Sequence, residues 1–373
     1  MRPELNLFKP FSPGEEIIIP PSLQKNSFPK LKKIGETTHV ETPSRLCAIV
    51  FDLLGITDMP PKTGGNAYAA DFYKTGVTIS NSSDKGINFE NKYSSEIHNM
   101  YEIMKQLLNI NPNISVKLES HELAHSGLGS TSAKVIGFAV GLNEMYGKPL
   151  TNYQLRQLIG YNHAETSSHD EKKLVKGFSF GTSGAVSLYG GTAIMAPNYE
   201  IIAHTQIPQE FSIMSYTPSN KIMQGSKGLT PEQEQKPIEA IKKHEILYAG
   251  KRTLLTMHEL IPTMNNNNFE KHAEVMWELV STMIPSFKGL HGDKYANHII
   301  DMYNFGAMFP CQSSTGPNIF FYCKEKDEKK FRDYLINNGL VNGEIMIGKT
   351  SRGLEFSIDN GPIENYFFQG KIL

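Results

Sequence analysis

The sequence predicts a two-domain protein of mixed helices and strands. Its 373 residues are enough for about two domains, each with its own hydrophobic core, at roughly 150 residues per domain. Strand and helix patterns alternate in the first part of the chain, whereas helical spacing dominates over residues 231–304. We therefore predict a domain boundary within 210–230, where Pro218, Gly225 and Gly228 cluster.

The composition indicates a folded protein and excludes several functional classes. Hydrophobic residues make up 39% of the chain, which is within the globular range and argues against disorder. The 37 Lys and Arg residues nearly balance the 38 Asp and Glu residues, so we do not expect a nucleic-acid-binding protein. No run approaches the roughly 18 apolar residues that a membrane-spanning helix needs, so we expect no membrane partner.

The cysteines and the first 30 residues indicate the cellular compartment. Cys47, Cys311 and Cys323 lie far apart and are too few for a disulfide scaffold. The first 30 positions contain Pro and Lys where a secretory signal would need an apolar run. We expect a soluble, unprocessed protein of the cytoplasm.

The N-terminal part predicts an arm followed by strands. Residues 1–38 carry six prolines and a basic patch, cannot bury much apolar surface, and are predicted to form a Pro-rich arm or lid. Regular structure should begin near His39, and Thr42–Asp52 is apolar enough for a buried strand. Gly64–Gly65 predicts a turn, and Tyr73–Ile79 predicts the strand after it.

The middle of the chain predicts a helix, a strand, a glycine-rich loop and a second helix. Apolar residues recur at helical spacing over 94–109, and a period-two alternation over Ile114–Ser120 predicts a half-buried strand. After the loop, a helix with buried positions from Val135 to Met145 should end near Gly147.

The rest of the chain predicts more mixed structure. Strands are predicted on either side of the Gly190–Gly191 turn, and the helical stretch should break at Asn265–Asn268 and near Gly289. The C-terminal predictions are a strand over Asn318–Cys323, a helix over Asp327–Ile336 and a strand over Glu344–Ile347.

The strongest functional feature is the loop at 126–132. Its glycines let successive backbone N–H groups face one concavity, and the helix that follows adds the positive end of its dipole. Phosphate or pyrophosphate is the natural ligand, and one of the three hydroxyls should cap the helix. The alternative is a plain strand-to-helix turn that binds nothing. The predicted phosphate- or nucleotide-binding residues are Ser126, Gly127, Leu128, Gly129, Ser130, Thr131 and Ser132.

A zinc-protease pattern overlaps this loop but does not fit its context. His121–His125 reads His-Glu-Leu-Ala-His, and zinc chemistry needs both histidines one turn apart on a helix. The preceding residues alternate as a strand, and Ser126–Gly127 follows immediately. We therefore expect two histidines at the end of a strand and do not expect a zinc metalloprotease.

The order of the motifs resembles the GHMP kinase superfamily of galactokinase, homoserine kinase, mevalonate kinase and phosphomevalonate kinase. Residues Gly127–Ala133 are similar to its Gly-Leu-Gly-Ser-Ser-Ala loop. Within the superfamily the chain looks most like the beta-ribofuranosylaminobenzene 5'-phosphate synthases (beta-RFAP synthases). That likeness rests on Thr42–Asp52, on Ser183–Gly191 and on Ser313–Pro317.

The resemblance implies an α+β, two-domain GHMP-kinase fold with the site in the cleft between the domains. Residues 39–220 would form an N-terminal ribosomal-protein-S5-like domain carrying the phosphate-binding loop. Residues 221–373 would form a C-terminal α/β sandwich domain.

The resemblance also implies a phosphoribosyltransferase-like synthase. Such an enzyme joins phosphoribosyl pyrophosphate to an aromatic acid with loss of pyrophosphate and carbon dioxide. Arg45 and Asp52 are the predicted catalytic residues, for binding an anion and for orienting the ribose or a metal ion, although they could equally be a structural ion pair. The predicted substrate-binding residues are Thr182, Ser183, Gly184, Ser313, Ser314, Thr315 and Gly316.

Two alternatives remain open. The first is an ATP-dependent small-molecule kinase, which the hydroxyl-rich loop favours, although no acidic residue lies between Gly177 and Gly191, where superfamily kinases place an Asp. The second is a non-catalytic relative that binds a phosphorylated ligand. We expect Mg²⁺ with phosphoribosyl pyrophosphate or ATP as co-substrate and a phosphorylated small-molecule substrate, with a homodimer as the candidate assembly.

Overall fold

A computed structural model describes most of the chain. The described residues are 9–26, 28–51, 64–120, 127–177, 181–223 and 235–368. The predicted catalytic residue Asp52, the loop residue Ser126 and the motif His121–His125 lie outside the described residues.

The described residues form strands and helices in mixed order. The strands are β1 Thr37–Phe51, β2 Gly64–Asn81, β3 Ile87–Phe89, β4 Ile114–Glu119, β5 Ala164–Thr166, β6 Leu174–Lys176, β7 Thr192–Met195, β8 Ile201–Thr205, β9 Phe211–Pro218, β10 Met308–Gln312, β11 Ile319–Lys324, β12 Val341–Gly348, β13 Glu355–Ile358 and β14 Glu364–Asn365. The helices are α1 Ser95–Leu108, α2 Ser130–Met145, α3 Asn152–Tyr161, α4 Thr182–Tyr189, α5 Gln235–Leu254, α6 Ile261–Asn265, α7 Phe269–Ser281, α8 Ile284–His291, α9 Asp293–Asn304 and α10 Glu328–Asn337. A π-helical turn, Leu255–Leu260, joins α5 to α6.

The first sheet has the order β14-β13-β1-β2-β4-β3, with β7 paired to β2 and β8 paired to β7. Helices α1 and α2 cover it, and Val40, Val77 and Phe138 are buried in the core between them. Helix α2 lies close to the sheet because Gly137 has no side chain. A Cβ at that position would lie 2.9 Å from a methyl carbon of Val77.

The second sheet has the order β10-β11-β9-β12. Its core contains Tyr216, Phe320 and Tyr322 and continues into the first sheet through Leu46 and Tyr68. Because β9 precedes residue 220, the second sheet takes strands from both sides of the predicted domain boundary. The boundary itself stays a prediction.

Three histidines are buried in the part of the molecule that contains the second sheet. His272 Nε2 lies 2.7 Å from the Tyr68 hydroxyl, and His298 Nε2 lies 2.7 Å from the Tyr216 hydroxyl. Burial lowers the pKa of His272 to about 3 and that of His298 to about 4. His291 is also buried, and its pKa is lowered to about 4 by burial despite a hydrogen bond to the Thr315 backbone. All three are therefore neutral in the folded protein at pH 7.

Most of the predicted elements are confirmed, and the exceptions have physical reasons. Gly64–Gly65 lies inside β2 and makes no turn, because these glycines pass close to the Met195 and Ile49 carbonyl oxygens. The residues before Gly190 form helix α4, where a strand was expected. Gly289 lies within α8, and the break comes at Gly292, which has a φ of 89°. None of the described helices is long and apolar enough to cross a membrane.

Candidate phosphate-binding site

The predicted phosphate loop leads directly into α2. Gly129 is the residue that precedes the helix, and its φ of +73° lies in the left-handed region that favours glycine. No side chain of the described residues caps α2, so the prediction of a hydroxyl cap is wrong. Helix geometry therefore leaves the N–H groups of Ser130, Thr131 and Ser132 without an acceptor inside the helix. Such a helix start attracts anions.

A second helix starts in the same way. Helix α4 follows Gly181, whose φ is +69°, and within the described residues no side chain caps it. The first two residues of α4, Thr182 and Ser183, were predicted to bind substrate. Thr182 is buried, whereas Ser183 is partly exposed at the start of the helix.

Arg45 lies between the two helix starts. Its Nε donates to Ser183 Oγ at 2.9 Å, and its backbone N–H donates to the Leu128 carbonyl at 2.9 Å. A Cβ at Gly129 would lie 3.1 Å from Arg45 Nε, so the guanidinium group packs against the phosphate loop. Within the described residues, the buried Nη1 atom of Arg45 has no hydrogen-bond partner. An unpaired buried donor is costly unless a ligand accepts its hydrogen bond.

The predicted turn at 313–316 ties the phosphate loop to β1. Ser313 Oγ accepts a hydrogen bond from the Cys47 N–H at 3.2 Å and donates one to the Gly127 carbonyl at 2.5 Å. The Ser314 N–H donates to the Cys47 carbonyl at 3.1 Å. Ser313 is fully buried, so it positions the loop and is not exposed to a ligand.

Gly127 permits this contact, because a Cβ there would clash with the Ser313 carbonyl oxygen. Its φ of +95° is likewise one that glycine tolerates best. Loop, turn and strand are thus held together by the Ser313 hydroxyl and by backbone hydrogen bonds.

The other predicted site residues differ in accessibility. Ser130, Thr131, Ser314 and Thr315 are partly exposed. Leu128 is buried in the core that extends into the second sheet, so it anchors the loop. The remaining positions have little or no exposed surface, namely Ser132, Gly184 and Gly316.

Three neighbouring residues were not predicted to lie at the site. The Cys47 thiol is buried, and burial raises its pKa, so it is a poor nucleophile. Lys134, one turn into α2, lies 2.9 Å from the Glu96 carboxylate. Burial would raise the pKa of Glu96, but the charge and hydrogen bond of Lys134 outweigh burial and lower it to about 2. Glu96 thus holds the charge of Lys134. A lone lysine on an apolar helix was the only sequence signal for this pair.

No group of three or more His, Cys, Asp or Glu side chains that could hold a metal ion occurs among the described residues. The groups that fit a magnesium ion here are the hydroxyls at the start of α2, together with the phosphates of a ligand.

Comparison with known proteins identifies the fold. The family model of the GHMP kinases N terminal domain matches residues 95–171, which include the phosphate loop and the whole of α1, α2 and α3. No curated protein matches the chain.

Among solved structures, the homoserine kinase from Cytophaga hutchinsonii is 14% identical with a TM-score of 0.57, and the match covers 89% of this chain and 100% of that one. The mevalonate pyrophosphate decarboxylase from Streptococcus pyogenes is 12% identical with a TM-score of 0.63, over 86% and 99% of the two chains. The mevalonate diphosphate decarboxylase from Enterococcus faecalis is 11% identical with a TM-score of 0.58, over 87% and 99%.

These likenesses confirm the predicted fold: the chain has the α+β GHMP kinase fold. Similar proteins of this fold include kinases and decarboxylases. The narrower resemblance to the beta-RFAP synthases stays a prediction.

Proposed function

We propose that the chain is an ATP-dependent transferase that moves a phosphoryl group to a small-molecule acceptor. Within the described part of the chain, Arg45 has a buried Nη1 without a hydrogen-bond partner and lies between two helix starts that lack side-chain caps, and this observation carries the proposal. In this proposal the ATP phosphates bind the N–H groups of Ser130, Thr131 and Ser132. Arg45 would neutralise the charge that spreads over the transferred group.

The start of α4 supports an anionic acceptor. Thr182 and Ser183 open this second helix, and Arg45 is already bonded to Ser183. The Enterococcus faecalis decarboxylase is described with mevalonate diphosphate and ATP together, and another similar structure holds MVAPP, AMPPCP and magnesium. We therefore propose an acceptor that carries a phosphate or carboxylate group.

The chemistry proposed for these residues is positioning and charge neutralisation. Phosphoryl transfer depends chiefly on these two effects, so it does not require a strong base among the described residues of the site. Mg²⁺ bound with the nucleotide would supply further positive charge to the phosphates. Asp52 remains the proposed residue for orienting the acceptor or the metal ion.

The beta-RFAP synthase activity is the second candidate. Among the described residues, the side chains that join the loop, α4 and β1 are those of Arg45, Ser183 and Ser313, and none of them is a carboxylate. A transition state with positive charge on the ribose needs a cradle for pyrophosphate and can form without a general base. This observation favours the synthase over a kinase that depends on an Asp.

One assay separates the candidates. Purified protein with Mg²⁺ is incubated with ATP or with phosphoribosyl pyrophosphate, each with a panel of phosphorylated acids, alcohols and aromatic acids, and ADP, pyrophosphate and carbon dioxide are followed. Acceptor-dependent ADP release supports the transferase, and pyrophosphate with carbon dioxide supports the synthase. Ligand binding without turnover points to the non-catalytic relative and contradicts both enzymes. The Arg45→Met protein is the control for adventitious activity.

A further inference from the structure

Residues 11–23 of the N-terminal arm, which we call the strap, dock against the helical side of the first sheet. Phe11 and Leu174 exchange two backbone hydrogen bonds of 2.9 Å, so the strap forms an antiparallel β-bridge with the β5–β6 hairpin. The Phe11 side chain is buried in a small cluster with Ala164 and Leu174. An ion pair of 2.6 Å joins Glu16 to Lys176 at the end of β6.

The strap then continues over α3. Asn162 accepts from the Ile18 N–H at 2.8 Å and donates to the Ile18 carbonyl at 2.9 Å, as a neighbouring strand would. Leu23 is fully buried in the core between the first sheet and its helices. The two ends of the strap are thus anchored independently, by Phe11 on the hairpin and by Leu23 in the core.

The hairpin that the strap covers contacts α2 through side chains and precedes α4 in the sequence. Strand β6 ends at Lys176, a few residues before Gly181 and the start of α4. On β5, the Thr166 N–H donates to Glu96 at 3.3 Å. Glu96 in turn holds Lys134 of α2 at 2.9 Å.

The hairpin needs this support. Its two strands are three residues long, and an isolated two-stranded hairpin is marginally stable at best. The β-bridge and the buried Phe11 add two backbone hydrogen bonds and apolar contact to those that β5 already makes with α1.

We propose that the strap is a positioning element of the anion site. By docking Phe11 on the hairpin it supports β5, whose Thr166 bonds Glu96, and through Glu96 and Lys134 it positions the start of α2. Phe11 and Glu16 are positioning residues, since they act through Leu174 and Lys176. This inference rests on the proposed function only in requiring that phosphates bind where α2 and α4 begin.

The test compares the two anchors of the strap. Binding of MgATP and of inorganic pyrophosphate is measured by calorimetry for the wild type, Phe11→Ala, Phe11→Leu and Leu23→Ala. Hydrogen exchange at the Leu174 amide reports strap docking, and thermal unfolding without ligand reports stability. We expect Phe11→Ala to raise Kd by about three- to tenfold and to speed exchange at Leu174, because coupling through a packed network is of that order. Phe11→Leu should restore most of the affinity.

Leu23→Ala is the matched control, because it also removes a buried apolar side chain of the strap. We expect it to lower Tm and to leave Kd within about twofold of the wild type, since the hairpin keeps its β-bridge to Phe11. Equal changes in Kd for both alanine variants would overturn the proposal in favour of a general loss of stability. Wild-type affinity in Phe11→Ala with fast Leu174 exchange would overturn it as well.

Two further outcomes are distinguished. If Phe11→Ala does not fold, Glu16→Lys weakens the same docking at an exposed ion pair, and Glu16→Lys with Lys176→Glu should recover the affinity. Unchanged binding in Glu16→Lys contradicts the strap's role, and so does a loss of binding that the charge swap does not recover. A wild-type protein that binds neither MgATP nor pyrophosphate contradicts the proposed function itself, and the strap inference with it.

Discussion

Replacing Arg45 by methionine tests the anion site through two opposite effects. In the folded protein Arg45 makes one hydrogen bond to Ser183 and, within the described residues, buries an unpaired Nη1. A net hydrogen bond stabilises by about 1 kcal/mol, whereas a buried unsatisfied donor costs about 1–3 kcal/mol. The Arg45→Met substitution removes both, so we expect Tm without ligand to stay equal or to rise.

Ligand binding should change in the other direction. A hydrogen bond from a charged donor to phosphate contributes about 1.5–3 kcal/mol, which corresponds to a loss of about 10- to 150-fold in affinity. Calorimetry with MgATP and thermal unfolding of the free protein measure the two effects. Arg332→Met, at an exposed position on α10, is the control and should change neither. An Arg45→Met protein with wild-type affinity, or with lower affinity only in proportion to lost stability, would refute the assignment.

Three further predictions concern the loop, the turn and the core. Gly129→Ala and Gly147→Ala both place alanine at a positive φ, +73° and +76°, and each should lower stability by about 1–2 kcal/mol. Only Gly129→Ala should weaken MgATP binding, because only its Cβ meets Arg45, and equal binding in the two variants would contradict the loop geometry. Ser313→Ala leaves the Cys47 N–H and the Gly127 carbonyl unpaired and should lower the free energy of unfolding in urea by about 2 kcal/mol or more. An unchanged midpoint of urea unfolding would argue against the two hydrogen bonds of the Ser313 hydroxyl. The three buried histidines have folded pKa values lowered below the ordinary 6.5, so the unfolded chain binds more protons in acid: stability is complete above about pH 6.5 and falls as the pH approaches 4. Each contributes up to about 1.4 kcal/mol per pH unit, so urea unfolding at pH 5 should show a loss of about 5 kcal/mol relative to pH 7, and equal stability at both values would contradict their burial as neutral rings.

The phosphate loop and α2 could be predicted from sequence because local signals suffice there. A period-two strand, two glycines and a long apolar helix follow one another within 114–145, and each pattern has a distinct structural meaning. The sequence alone does not tell whether Gly129 or one of the hydroxyl residues after it immediately precedes the helix, since serine and glycine are both favourable at that position. The cap was therefore assigned to the wrong residue type.

Helix α4 could not be predicted by the same means. Seven of its eight residues are buried, so it has no polar face and its periodicity cannot be told from that of a buried strand. Its glycine-rich surroundings suggested turns. The start of α4, which forms half of the candidate site, became visible only with the fold.

The contacts that assemble the site are long-range and have no local signature. Arg45 and Ser183 are 138 residues apart, and Ser313 and Gly127 are 186 residues apart. Their proximity depends on the pairing of β1 with β2 and on the turn before β11. The role of the strap is likewise absent from its composition, because prolines and lysines indicate an arm but not where it docks.

A crystal structure with Mg²⁺ and AMPPCP tests the central claim most directly. We expect the terminal phosphates within about 3 Å of the N–H groups of Ser130, Thr131 and Ser132, with Arg45 Nη1 donating to one of their oxygens. Phosphates bound elsewhere, with Arg45 Nη1 still unpaired beside Gly129, would contradict the account.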